Sequence, residues 1–218
     1  MTVEDCLFLA KRNIIDNIYN SARLEGIATT FPQTEAIIKG AKGVNLKAEE
    51  IEKILALKHA WEFIFETVDY PEDFRYFKEL HSICAPDVPP SYRGKVRDFD
   101  VSMGGTSWRP DLPCEPEAKE EFDRLNEIKE AVDRAVTVML WSMRSQLFAD
   151  GNKRVSMLYA NKVLIRNGAG IITIKPEHIE NFSEKLIRFY ETNDMNDIKR
   201  WIIDNALSVI IKKKDFSR

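Results

Sequence analysis

Of the nine prolines in this 218-residue chain, six fall between Pro86 and Pro116. That uneven distribution constrains the fold more than any other feature. Proline removes a backbone donor and clashes with the preceding helical turn, so helix interiors avoid it. Outside this window apolar residues recur at three- and four-residue steps, the period of a helix. Val3, Leu7, Ala10, Ile14, Ile18 and Ala22 form one such stripe, and Gly26 stands where a C-cap belongs, which predicts a helix over about 3–25. A turn-rich stretch follows to Asn45. The same period predicts helices over about 47–68, 71–84, 117–146, 152–167, 177–192 and 196–213, with one short strand over 171–174. The window itself adds Gly94 and the pair Gly104–Gly105. Val101 and Met103 before that pair, with Trp108 after it, predict a small hairpin. An irregular insertion of this length in a helical protein is more often functional than idle.

The 32 basic and 35 acidic side chains nearly cancel, leaving a formal charge of -3. Non-specific nucleic-acid binding needs a surplus of Lys and Arg against phosphate, so no nucleic-acid partner is expected. Cys6, Cys84 and Cys114 show no CxxC spacing. A reducing compartment, the cytoplasm, fits them best. The opening MTVEDCLFLAKRN carries acids where a signal peptide carries basic residues. The longest strongly apolar stretch, Ala135 to Trp141, is far too short to cross a bilayer, so no membrane association is expected. No internal repeat and no Gly/Ser-rich linker appears. One all-α domain is the expectation.

Most of the chemistry is concentrated in Gln146-Leu-Phe-Ala-Asp-Gly-Asn-Lys-Arg154, a sharp turn between two apolar helices. Gly151 can take the left-handed conformation that such a turn needs. The helix beyond it offers unpaired N–H groups and a positive dipole end, and Lys153 and Arg154 add full charges there. This is the recipe for an anion site, with phosphate its natural occupant. Asp150 beside it can hold a divalent cation, since a hard carboxylate oxygen suits Mg²⁺ bridging phosphates. Spacing alone leaves the plainer alternative open, that Asp-Gly is a tight turn and Lys-Arg a solvated face. No Walker A or GxGxxG pattern appears.

The segment resembles the signature of the Fic family, H-x-F-x-[D/E]-G-N-[G/K]-R-x-x-R, at Phe148, Asp150, Gly151, Asn152, Lys153 and Arg154. Glu49 to Phe65 is similar to the helix that opens Fic cores. Leu80-His81 and Tyr92-Arg93-Gly94 resemble the segments before the family's substrate-aligning flap, which falls here at about 100–112. Thr192-Asn193-Asp194 before the last helix also resembles the family. The resemblance covers most of residues 45 to 210. It implies an all-α Fic-type bundle with a small β-hairpin flap, and an ATP-dependent, Mg²⁺-assisted transfer of AMP to a hydroxyl of a target protein. By resemblance, Asp150 is the metal position and Gly151, Asn152, Lys153 and Arg154 cradle phosphates.

Two departures bear on the chemistry. The family's catalytic His is replaced by Gln146, whose amide cannot act as a general base near neutral pH. The signature's final Arg is replaced by Met157. Leu147 also stands where proline is frequent. None of His59, His81 and His178 lies in the motif.

A second resemblance lies nearer the N-terminus. Ser21-Ala-Arg-Leu-Glu25-Gly26 is similar to the inhibitory motif [S/T]-x-x-x-E-[G/N] of self-inhibited Fic proteins. Ser21 and Glu25 share a helix face. In the family this Glu pairs with the final signature Arg and displaces the terminal phosphate of ATP. With Met157 in that place, the expectation is that Glu25 approaches Arg154 or Asn152, or that the switch has decayed.

The expected organisation is an N-terminal regulatory segment, 1–44, followed by a Fic-like core, 45–218. The leading expectation is a nucleotide-binding protein of the adenylyltransferase lineage, with transfer impaired by Gln146. The alternatives are a non-catalytic module binding nucleotide or peptide, and an altered phosphotransferase like the family's toxin branch. The target protein is not readable, and a homodimer is left open. Other candidates reduce to structure: the Trp61–Phe77 aromatics read as core, His81 as a hydrogen-bonded core residue, and Lys212–Lys214 as a charge cluster closing the last helix. Cys114 has no visible activating partner.

Overall fold

In the computed structural model, which describes residues 1–209, the helical expectation is met. Ten α-helices are found among the described residues: α1 Val3–Arg12, α2 Ile14–Leu24, α3 Phe31–Ile38, α4 Ala48–Glu66, α5 Phe74–Cys84, α6 Glu115–Asn126, α7 Ala131–Ser145, α8 Asn152–Arg166, α9 Ile179–Thr192 and α10 Asn196–Asn205. The two strands, β1 Ile171–Ile172 and β2 Leu207–Ser208, pair antiparallel with Ile171 opposite Ser208. No helix among the described residues is long and apolar enough to cross a membrane.

The helix α8 is the axis of the fold. From Arg154 to Ile165 only buried residues occur, because apolar side chains occupy every face. Its polar members are paired, as burial requires. Ser156 Oγ lies 2.7 Å from Ser142 Oγ of α7. Asn161 donates to the Ile172 carbonyl and accepts from its N–H. Lys162, fully buried, donates from Nζ to the Thr67 carbonyl at 2.8 Å and to that of Val68 at the end of α4. Burial pushes its ammonium down to about 8. Around this axis Phe77, Phe122, Phe148 and Tyr159 interlock, with ring centroids 5.1–5.5 Å apart.

Several elements and boundaries depart from the sequence reading. The first expected helix divides at Asn13, which ends α1 and begins α2. The stretch read as turns contains α3, started by a Thr30–Gln33 capping box with a proline in its first turn. That proline is a start signal rather than a breaker. The 117–146 helix divides into α6 and α7, and Glu130 caps the second by accepting from the Val132 and Asp133 amides. The expected strand 171–174 is shorter, and the last helix ends at Asn205 and gives way to β2. The segment around the glycine pair forms no hairpin: residues 101–112 carry no strand pairing. Lys212–Lys214 lie outside the described residues.

Candidate functional site

The turn joining α7 to α8 bends through two left-handed residues. Gln146, at the end of α7, has φ 45°, and Gly151, at the start of α8, has φ 76°. Left-handed backbone is costly for residues with a Cβ, so its presence at Gln146 reflects the packing around it. That packing is unusually polar. Gln146 Nε2 donates to the Met143 carbonyl at 2.6 Å, and Gln146 Oε1 accepts from Asn152 Nδ2 at 3.0 Å. Asn152 also donates to the Phe148 carbonyl and accepts from its N–H, both at 2.9 Å. Asn152 is therefore a clamp within the turn, and its side chain is spent there.

His81 of α5 supports the turn from behind. Its Nδ1 accepts from the Gly94 amide at 2.9 Å, which leaves Nε2 to donate to the Asp150 carbonyl at 2.8 Å. The ring stacks on Phe148 with centroids 3.8 Å apart. Burial, with a smaller contribution from Arg154, pushes its imidazole down to about 4, so it is neutral near pH 7. Gly94 must be glycine: its φ is 67°, and a Cβ would lie 2.4 Å from Ser82 Oγ and 2.8 Å from the Lys78 carbonyl.

Arg97, which the sequence reading did not single out, is fully buried. It donates to the carbonyls of Gln146 at 2.7 Å, Phe99 at 2.6 Å and Asp111 at 2.6 Å. Its own amide donates to the Leu147 carbonyl at 2.9 Å. One side chain thus fastens both ends of the 100–112 segment to the α7–α8 turn. The middle of the segment is held by α9, through Thr106 Oγ to Glu191 at 2.7 Å and Trp108 stacked 5.4 Å from Tyr190. The only signal for Arg97 in the sequence was an arginine inside a proline-rich window.

Beside the turn lies a cleft of about 290 Å³. Gln146, Asp150, Gly151, Asn152 and Lys153 form one wall, with Met103 and Gly104 of the 100–112 segment and Phe182, Leu186 and Tyr190 of α9 facing them. Glu25, at the C-terminal end of α2, stands at the same cleft. No side chain caps the start of α8. Its dipole and first amides, with Lys153, bring positive charge to this wall beside the carboxylates of Asp150 and Glu25. The carboxylate of Asp150 is 67% exposed.

Arg154 points elsewhere. Its side chain is 1% exposed and is not part of the cleft wall. Nη1 and Nη2 fork onto Asp87 at 2.7 and 2.8 Å, and Nη1 also donates to the Cys84 carbonyl at 2.9 Å. Glu25 Oε2 lies 2.9 Å from its Nε. That contact has ion-pair distance without hydrogen-bond alignment, since neither Arg154 Nε nor Glu25 Oε1 finds a hydrogen-bond partner. Glu25 Oε1 is also 3.6 Å from Lys153 Nζ, which donates to the Leu24 carbonyl. Met157 is buried and brings no charge. Of the residues singled out, the fold brings Gln146, Asp150, Gly151, Asn152, Lys153 and Glu25 to one cleft. Ser21, one turn before Glu25, accepts from the Glu25 amide through its backbone carbonyl, and Gly26 closes α2 with φ 79°.

Residues 71–164 match the model of the Fic/DOC family, a stretch that runs from the approach to α5 through most of α8 and so contains the whole turn. This stretch belongs to the Fic/DOC family. The chain is related to proteins described as protein adenylyltransferase Fic: it is 28% identical over 204 residues to that of Aedes aegypti and 26% identical over 212 residues to that of Culex quinquefasciatus. Each match covers 89% of this chain and 40% of the relative, so the chain spans about two fifths of the length of these curated relatives. Among solved structures, Fic-1 (aa134–508) from C. elegans is similar with a TM-score of 0.78 at 18% identity, covering 89% of this chain and 62% of that one. A Fic domain containing signaling protein from Bacteroides thetaiotaomicron is similar with a TM-score of 0.74 at 22% identity, covering 92% and 84%. At these identities the structural likeness establishes the Fic fold.

Proposed function

We propose that this Fic-family chain binds ATP with Mg²⁺ in the cleft beside α8 and descends from protein adenylyltransferases, with AMP transfer impaired by Gln146. The observation that carries the reading is the uncapped start of α8, which opens onto a cleft bearing Lys153 and Asp150. Free amides, a helix dipole and a full positive charge suit phosphate. Among the described residues no three or more His, Cys, Asp or Glu side chains gather into a metal site. The exposed carboxylate of Asp150 nevertheless fits Mg²⁺, which binds through one or two carboxylates together with substrate phosphates. When bound, Mg²⁺ would neutralise phosphate charge.

In such a transfer a target hydroxyl forms a P–O bond to the α-phosphorus of ATP, and the bond to the departing pyrophosphate breaks. The hydroxyl proton needs an acceptor. Gln146 occupies the place of the base, but an amide oxygen is too weakly basic to take a proton near neutral pH. A second reading, a module that binds nucleotide or peptide without chemistry, is favoured by the bonds of Gln146 to Met143 and Asn152. The three free cysteines support a reducing compartment such as the cytoplasm.

The test is calorimetry with ATP and Mg²⁺, followed by mass spectrometry of the chain after incubation with labelled ATP. Binding with little or no added AMP is expected. Absence of any ATP binding would sink the nucleotide reading, and an added phosphate would replace it with the phosphotransferase.

A further inference from the structure

Arg154 sits one residue's thickness from the cleft. A Cβ on Gly151, which lines the cleft, would be 3.5 Å from Arg154 Nη2. The guanidinium nonetheless faces inward, and the residue that turns it is Asp87, in the loop after α5. Asp87 takes both terminal nitrogens of Arg154 and is itself held from the other side by Lys53 of α4, at 2.9 Å. The two-pronged geometry is the strongest form of carboxylate–arginine pairing. Glu25 approaches the same guanidinium at Nε alone, without alignment.

Three carboxylates therefore lie around one arginine, with Asp150 the most distant at 3.7 Å from Nη2. Asp87 has the good geometry and Glu25 the poor one. Burial works against ionisation of Asp87, but Arg154 and Lys53 hold its carboxyl down at about 2. With Met157 at the signature's last position, no second arginine is there to pair with Glu25.

We propose that Asp87, backed by Lys53, is a positioning residue: it stows Arg154 behind Gly151, away from the cleft, and leaves Glu25 only a partial counter-charge. This rests on the nucleotide reading for its consequence and on the side-chain geometry for its cause. Loss of the Asp87 charge releases the guanidinium. While Glu25 is present, the released arginine turns to Glu25 and fixes that carboxylate at the cleft. When Glu25 is absent, it is available to phosphate.

The experiment compares Asp87→Asn in two backgrounds, the natural chain and Glu25→Gly, by ATP calorimetry. Expected is a change of sign: Asp87→Asn weakens ATP binding in the natural chain and tightens it in Glu25→Gly, each by about tenfold, the size of one charge-assisted hydrogen bond. Changes of the same sign in both backgrounds would overturn the proposal, because a merely structural Asp87 acts alike in each. A second arm needs no nucleotide: NMR of ¹⁵N-arginine-labelled chain reads the side-chain exchange of Arg154. Faster exchange in Asp87→Asn, with protection retained in Asp87→Glu, supports the stowed arginine, and unchanged exchange overturns it. If no variant binds ATP, the nucleotide reading fails, and this arm alone decides the role of Asp87.

Discussion

Glu25 Oε2 lies 2.9 Å from Arg154 Nε, yet the N–H does not point at it. The pair joins the end of α2 to the first turn of α8, so one carboxylate ties the N-terminal helices to the cleft. Its position beside Lys153 places negative charge where the proposed nucleotide would bring more.

Replacement Glu25→Gly should therefore raise ATP affinity. Like charges at a half-buried site repel and lose hydration together. The gain should be modest, because the carboxylate is pinned by an unaligned contact instead of a fork. Calorimetry at low and at high salt reads it, and equal affinities of both proteins in both conditions would show that Glu25 does not oppose nucleotide.

Restoring a base should restore chemistry. In Gln146→His an imidazole replaces the amide at the cleft wall, and general-base catalysis typically supplies about 100- to 10,000-fold. Mass spectrometry after incubation with ATP and Mg²⁺ should show AMP added to the variant, at least on itself, far faster than to the natural chain. Silence in both, on folded samples, would favour the binding module.

Removal of the arginine should be felt as lost stability. Arg154→Ala removes a buried cation and leaves the partly exposed carboxylates of Asp87 and Glu25 without it, while Asp87 keeps Lys53. The loss should therefore fall below the roughly 3–5 kcal/mol of a fully buried broken pair, at about 2 kcal/mol. Urea unfolding measures it. A loss below about 1 kcal/mol would mean that Lys53 and Lys153 suffice.

The neutral state of His81 predicts a specific acid sensitivity. Its folded value of about 4 lies below its ordinary 6.5. Between those limits the unfolded chain binds the extra proton, so stability rises with pH through the window. The contribution is complete above about 6.5 and lost as pH falls towards 4, amounting to about 3 kcal/mol. Asp87, depressed to about 2 from 3.8, loses its own contribution only below that window, as pH falls from about 3.8 towards 2. Urea unfolding at pH 7 and pH 5, with NMR titration of the His81 ring, checks this. An ordinary titration midpoint for His81 would overturn it.

The sequence by itself determined the helices, because a buried face must repeat at the helical period wherever it packs. It determined the bend at Gly151, since a left-handed residue after Asp150 is a local matter of backbone sterics, and it put Gln146 and Met157 where the resembled signature has His and Arg. Breaks at Asn13 and after Asn126 escaped it because the apolar period runs on through them while caps decide the ends. Only the tertiary structure decided where the charges go. Lys153 faces the cleft and its neighbour Arg154 faces Asp87, a choice made by a loop far away in the chain. Arg97 acquired three carbonyls, and His81 its place behind the turn, in the same way. Long side chains reach several partners, and which one they meet depends on how distant segments dock, so the chemistry of this cleft is written in packing as much as in the motif.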